Sequence, residues 1–499
     1  MNYRIIAKNL GVFSLWVAVW MAVSSLWSLW YGEPAALRAL LESAATSVLA
    51  GAALLYLGRG PQRRMYERES VALVGLGWIL IAGLGALPFW YLGTQTFTEA
   101  YFESMSGFTT TGSSVIADIE GLPKGILFWR SLTHWLGGIG IVVLMIAVIP
   151  FIGMSGKMLY QSEVTGLSKD GVRPRIKESA FILLKVYLVL TVIHAAALMI
   201  AGMDFFDALC HTFGSLATGG YSTRNKSVEA FDSVAIEGVI TAFELIGATN
   251  FTLYYLMAKG DWRALFRDTE WRVFMGIFVV STLLITVNLM RVQGVVAPED
   301  TSVPGALGGV DYSCGQALRF SSFQVATMMT NTGFTGADFD IWPYFSRIWI
   351  MLIVMMGGCA GSTAGGIKII RVVILFKIGM QQVQRIYRPH TLRAIRVNGQ
   401  VVSEDIQYSV LSFFLVYVAV MAFSTVVMSF LGLPLQSAFS SVVACLNNTG
   451  PGLELVGAER NFSCVPAAGK WFLSLVMVTG RLEFFSVMVF FFPSFWRRG

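Results

Sequence analysis

Long apolar runs separated by short charged connections dominate this chain. A helix needs about 20 apolar residues to cross a bilayer. Ten runs meet that length, near 10–31, 37–58, 71–93, 126–150, 179–203, 234–258, 272–292, 345–380, 405–431 and 469–492. Some of them carry charges, such as Lys185, Glu244 or Arg481. The run 345–380 is too long for one crossing, because as a continuous helix it would measure roughly 54 Å. Four further connections, near 97–118, 204–224, 315–338 and 434–455, are apolar yet too short to cross and return as two helices. Each is expected to be re-entrant, a short helix that dips in and comes back as extended chain. Extended backbone at that depth must line water or be buried in protein.

Composition supports a membrane protein and removes other classes. Of the 499 residues, 55% are hydrophobic and 13% charged, about half the charge of a soluble domain. Mean hydropathy is +0.65. A soluble enzyme could not cover its surface with so little charge, and a disordered chain would not carry 13% aromatics. Five cysteines without a CxxC pair and four scattered histidines without HExxH argue against a zinc site or a disulfide framework. Leu10–Gly32, uncharged over 23 residues, is too long for the apolar region of a signal peptide. The net charge of +6 does not point to nucleic acid, because the basic residues gather in alternate connections. Segments 2–9, 59–70, 151–178, 258–272, 368–404 and 493–499 hold 24 of the 36 Lys and Arg. This asymmetry places both termini in the cytoplasm.

The four re-entrant connections share a motif. A Thr-Gly pair recurs at Thr111-Gly112, Thr218-Gly219, Thr332-Gly333 and Thr449-Gly450, with glycine spacings of 107, 114 and 117 residues. One such pair is an ordinary turn dipeptide, but four, each between two spans, imply a repeated unit. The pattern suits a dehydrated cation. Carbonyl dipoles replace its water without holding it too tightly, and the C-terminal end of each short helix adds partial negative charge. One loop supplies one wall, and four around a pseudo-fourfold axis close a ring.

On these residues the chain resembles the Trk/Ktr/HKT superfamily of potassium transporters, and within it the bacterial Trk membrane subunit, over essentially its whole length. The resemblance implies a selectivity filter at Thr110–Ser113, Ala217–Gly220, Asn331–Phe334 and Asn448–Pro451. The backbone carbonyls of Thr110, Thr111, Gly112, Ala217, Thr218, Gly219, Asn331, Thr332, Gly333, Asn448, Thr449 and Gly450 would face a potassium ion, the transported substrate, with rubidium also permeating. Sodium-preferring members often carry serine at the first filter glycine. Gly112 is retained here, which implies potassium passage. The resemblance further implies a homodimer in the bacterial inner membrane, contacting lipid and carrying a cytosolic nucleotide-binding regulatory ring.

Within the overlong run, residues 357–366 read Gly-Gly-Cys-Ala-Gly-Ser-Thr-Ala-Gly-Gly. Glycine costs about 1 kcal/mol per residue in a helix, so Gly357, Gly358, Gly361, Gly365 and Gly366 should break it into two half-helices. The stretch lacks GxxxxGK[ST] and follows no strand, which excludes a nucleotide loop. The family resemblance makes it an intramembrane gate; close helix packing by small residues is the other reading. A charge at Arg481, deep in the last run, is costly and suggests function. It is a barrier to cations below the filter, as the resemblance implies, or the partner of a buried acid such as Glu483 or Glu244, and the two readings can both hold. Lys185 is read as facing lipid. Asp118, Asp338, Asp340 and Glu454 are read either as concentrating cations at the outer mouth or as solvated surface. His134 and His211 are read as packing residues. A Cys314–Cys464 disulfide is open. The basic stretch 377–404, interrupted by Pro389, follows the broken helix and is a topology signal, a lipid contact or a docking face.

The expected architecture is thus an all-α polytopic membrane protein with ten spans. Four pseudo-symmetric span–pore-loop–span repeats surround a central pore, after two extra N-terminal transmembrane helices. The boundaries are 1–69 for the two-helix extension, then repeats at 70–177, 178–270, 271–400 and 401–499. The expected function is potassium-selective uptake through one pore, with no catalytic constellation. The alternatives are a potassium symporter coupled to protons or sodium by alternating access and a membrane enzyme or receptor subunit, for which no paired His, Asp or Cys residues are apparent.

Overall fold

A computed structural model describes residues 1–60, 67–148, 172–291, 312–388 and 394–496. Most of the basic connection 151–178, together with Arg63, Arg64, Pro389, Arg393, Arg497 and Arg498, lies outside the described residues. The described chain is helical apart from one two-stranded hairpin, β1 (Arg396–Val397) with β2 (Gln400–Val401).

Helices α1 (Tyr3–Trp30) and α2 (Pro34–Leu57) form an N-terminal pair. After them one order occurs four times: a long helix, a short buried helix, an extended segment and a second helix. The first set is α3 (Glu67–Gly85), α4 (Phe97–Phe108) and α5 (Lys124–Val148). The second is α6 (Val172–Ile200), α7 (Phe205–Leu216) and the bent pair α8 (Val234–Gly247) and α9 (Phe251–Ala258). Then come α10 (Thr269–Arg291), α11 (Cys314–Met329), α12 (Tyr344–Met356) and α13 (Ile369–Tyr387). The last set is α14 (Glu404–Phe430), α15 (Leu435–Asn447), α16 (Ala467–Arg481) and the short α17 (Phe485–Met488).

Among the described residues, six helices are long and apolar enough to cross a membrane by length and composition, or seven if α8 and α9 count as one span. The sequence suggested ten; of the four other runs, 126–150 continues past the described residues and three are interrupted. The run 234–258 bends by 93° at residues 248–250, where Asn250 caps α9 by accepting the Thr252 N–H at 2.9 Å. The run 345–380 is interrupted between Met356 and Ile369. The run 469–492 breaks after Arg481, where Glu483 and Phe484 take left-handed φ of 55° and 58°. A continuous apolar run therefore hid two breaks beside the glycine-rich one.

Three of the four short helices carry clear start signals. Thr96 and Glu99 form a capping box on α4, Ser313 and Gln316 form one on α11, and Asp204 accepts the Phe206 and Asp207 N–H groups of α7. Their C-terminal halves are almost wholly buried, so the middle of the molecule is built from these four helix ends rather than from the outer spans. Lys185 is exposed on α6, in agreement with the lipid-facing reading.

Candidate functional site

All four short helices end in the same turn. Thr110, Thr218, Asn331 and Asn448 have φ of 52°, 54°, 58° and 57°, and two residues later Gly112, Gly220, Gly333 and Gly450 have φ of 84°, 80°, 82° and 99°. The intervening N–H reaches back to the helix in each case: Thr111 to Ser106 O at 2.8 Å, Gly219 to Gly214 O at 2.8 Å, Thr332 to Thr327 O at 2.8 Å and Thr449 to Ala444 O at 2.9 Å. This is the bond pattern of a Schellman C-cap. A left-handed non-glycine residue costs on the order of 1–3 kcal/mol, and for β-branched Thr it is a true outlier. Four such residues at equivalent places mean that this backbone shape is held by its surroundings.

The shared turn sets the register of the second loop. Gly220, not Gly219, is the counterpart of Gly112, and Thr218 is the counterpart of Thr110 rather than of Thr111. Pairing by the Thr-Gly dipeptide placed this loop one residue early, because Thr218-Gly219-Gly220 offers two glycines and only φ separates them.

The four turns touch in a cycle. A Cβ on Gly112 would collide with Gly219 O, one on Gly220 with Thr332 O, and one on Gly333 with Thr449 O; one on Gly450 would stand 3.0 Å from Thr111 O. Each glycine thus abuts the carbonyl just before the corresponding glycine of the next loop, and the fourth returns to the first. Side chains reinforce two of these junctions: Asn331 Nδ2 donates to Thr449 Oγ1 at 2.7 Å and Asn448 Nδ2 to Thr111 Oγ1 at 2.9 Å. Ser113 adds a hydroxyl bond to Gly450 O at 2.9 Å. Asn331 Oδ1, Asn448 Oδ1 and Thr110 Oγ1 are buried with no protein partner among the described residues.

Behind the first turn lies a buried ion pair that the sequence did not reveal. Arg130 Nε donates to Glu103 Oε1 at 2.7 Å, and both side chains are at most 2% exposed. Glu103 also accepts the Val115 N–H at 2.9 Å and the Ser114 hydroxyl at 3.0 Å. Arg130 reaches Ser222 O at 2.9 Å and covers the Tyr221 ring at 3.6 Å. The pair therefore braces the extended segments after Gly112 and Gly220. His134 stacks on the other side of this cluster, 4.0 Å from Tyr221, and its Nδ1–H donates to Gly107 O at 2.8 Å. His211 bonds Asp207 O and Ser222 Oγ. Both histidines are packing residues in this geometry.

The segment 357–366 lies against the helix-end side of the ring. Thr363 Oγ1 donates to Leu216 O at 3.0 Å and to Gly247 O at 3.1 Å. A Cβ on Gly365 would collide with Asn447 O, and Cβ atoms on Gly357 and Gly366 would lie 3.2 and 3.3 Å from Asn331 Oδ1. Gly357, Gly361 and Gly366 have φ of 72°, 69° and 76°, which explains the glycine-rich composition. The segment also fills the break between α8 and α9: Cys359 N donates to Ala248 O at 2.9 Å, and Phe251 N to Gly361 O at 3.2 Å. Gly358 packs on Ala248.

Arg481 enters the same place. It is 5% exposed, and its Nη1 donates to Thr363 O at 2.9 Å. Nε and Nη2 have no partner among the described residues. It does not pair with Glu483, which binds Arg371 at 2.6 Å. Glu244 is buried, with no hydrogen-bond partner for either oxygen among the described residues, and forms no ion pair with Arg481.

At the opposite end, Asp340 accepts the Glu454 N–H at 2.8 Å and lies 3.4 Å from Arg347. Burial pushes the Asp340 and Asp338 carboxyls above the usual range. Asp118 is exposed and caps Gly121 N at 3.1 Å. Cys314 and Cys464 are free and exposed, so no disulfide joins them.

Comparison with known proteins identifies the family. The family model TrkH, described as cation transport protein, matches residues 38–498. The chain is 36% identical over 501 residues to the Trk system potassium uptake protein TrkH of Escherichia coli (strain K12), covering 100% of both. It is 36% identical over 507 residues to the protein of the same name from Halomonas elongata, again over 100% of both. The crystal structure of the potassium transporter TrkH from Vibrio parahaemolyticus superposes with a TM-score of 0.87 at 33% identity, covering 100% of each chain. With the match spanning nearly its whole length, the chain belongs to the TrkH family of cation transport proteins.

Proposed function

We propose that this protein carries potassium inward across the bacterial inner membrane through a single pore whose selectivity filter is the ring of four turns. The observation that carries the reading is the cyclic contact of four identical turns, each with a left-handed residue followed two positions on by a left-handed glycine. Such a ring presents peptide oxygens around a common line, and four helix C-termini converge on it with partial negative charge. The buried amide and hydroxyl oxygens without partners among the described residues suit a hydrated path. The relatives' names, potassium uptake protein and potassium transporter, supply the ion.

In the same proposal, residues 357–366 and Arg481 form the barrier. The glycine-rich segment abuts three of the four turns, and a guanidinium with two unpaired donors repels a cation approaching from the ring. The sequence units bounded at 70–177, 178–270, 271–400 and 401–499 are the four repeats. The homodimer and the cytosolic regulatory ring complete the assembly, on the family resemblance alone.

The test is rubidium uptake into liposomes containing the purified protein, with potassium and sodium as competitors. Uptake that potassium suppresses and sodium does not supports the reading. Uptake that saturates at low rate with a fixed proton or sodium stoichiometry supports the symporter instead. No flux under any condition, even with 357–366 shortened, sinks the pore.

A further inference from the structure

The glycine-rich segment is anchored from one side by a carboxylate. Glu270 lies at the start of α10 and is 5% exposed. Its Oε1 accepts two backbone N–H groups, Ala360 N within the segment at 2.8 Å and Ile370 N beyond its end at 2.9 Å. Ile370 stands in the first turn of α13, where the N–H has no intrahelical acceptor and the helix dipole favours a negative charge. One oxygen therefore ties the middle of the segment to the helix that follows it and fixes both to α10.

That anchor has a connection to the hairpin. Asn398, in the β1–β2 turn, accepts Thr269 N at 2.7 Å and donates to Asp268 Oδ2 at 2.8 Å. These are the two residues directly before Glu270. The hairpin thus holds the end of α10 from which the carboxylate projects.

We propose that Glu270 is a positioning residue of the barrier, holding residues 357–366 in place against the ring by accepting both N–H groups. The inference rests on the reading of that segment as the barrier. Hydrogen bonding to a charged acceptor is roughly twice as strong as between neutral groups, and losing both bonds leaves two N–H groups unsatisfied. The segment would then leave its place more often, and Cys359, buried beside Ala360, would become reachable.

The experiment measures two quantities on the full-length protein in liposomes. One is the rate at which a soluble maleimide modifies Cys359, followed by mass spectrometry of its peptide. The other is rubidium uptake. Glu270→Ala should label Cys359 about tenfold faster than the parent and raise uptake, since two charge-assisted bonds are worth more than one decade in an equilibrium. Glu270→Gln keeps an acceptor oxygen but loses the charge, and should fall between the parent and Glu270→Ala in both. If Glu270→Ala does not fold, Glu270→Asp, one methylene too short to reach both groups, serves in its place. Labelling at the parent's rate in the Ala or Asp variant overturns the inference, and so does Glu270→Gln labelling as fast as Glu270→Ala. Faster labelling with unchanged uptake keeps Glu270 as the anchor and removes the segment as the barrier.

Discussion

Arg481 donates to the Thr363 carbonyl at 2.9 Å, so the buried guanidinium holds the glycine-rich segment while leaving Nε and Nη2 without partners among the described residues. An uncompensated charge in a buried site costs several kcal/mol, and one neutral carbonyl does not offset that. Retention at such cost fits a role in transport better than a role in stability.

Arg481→Ala should therefore raise rubidium uptake, by about tenfold if the charge contributes a barrier near 1.4 kcal/mol, without lowering the midpoint of thermal unfolding. Shortening 357–366 should act in the same direction. Parent-like uptake in both variants contradicts the barrier assignment.

Gly112→Ser and Gly220→Ser should each admit more sodium relative to potassium. Both positions have φ near 80° and abut a carbonyl of the neighbouring loop, so a side chain there must widen or tilt the ring. Competition of rubidium uptake by sodium measures it. Unchanged selectivity in Gly220→Ser would return the second loop to the register of its Thr-Gly pair.

Much of this arrangement is readable from the chain. The apolar runs, the four Thr-Gly connections and the glycine-rich break each carry a local signal. The rest depends on contacts between distant residues. Nothing in the spacing of Glu103 and Arg130 says that they meet behind a turn. Glu270 reads as one more charge at a span edge until its oxygen is seen between Ala360 and Ile370. The bend at 248–250 lies inside an unbroken apolar run, where only Asn250 hints at a cap, and the loop's own backbone groups complete it. In the second loop two adjacent glycines made the register undecidable without φ.

Glu103→Gln should lower stability by about 3–5 kcal/mol, because it leaves Arg130 buried with a neutral partner. The unfolding midpoint in detergent should fall by several degrees. Glu103→Gln with Arg130→Met should recover part of that loss. A midpoint unchanged in the single variant would show that the pair does not brace the first two turns.

Asn448→Ala removes the bond to Thr111 Oγ1 between the fourth and first turns and the bond to Met477 O, and should cost about 2–3 kcal/mol. A cycle with Thr111→Val should show a coupling near 1 kcal/mol. Additive effects would mean that the Asn448–Thr111 contact does not stabilise the ring.

Anomalous diffraction from crystals grown with thallium or rubidium in place of potassium locates the permeating ion itself. A peak is expected among the carbonyls of Thr111, Gly219, Thr332 and Thr449, diminished when potassium is restored and unaffected by sodium. Ions bound elsewhere in the protein, with none inside the ring of four turns, would contradict the filter.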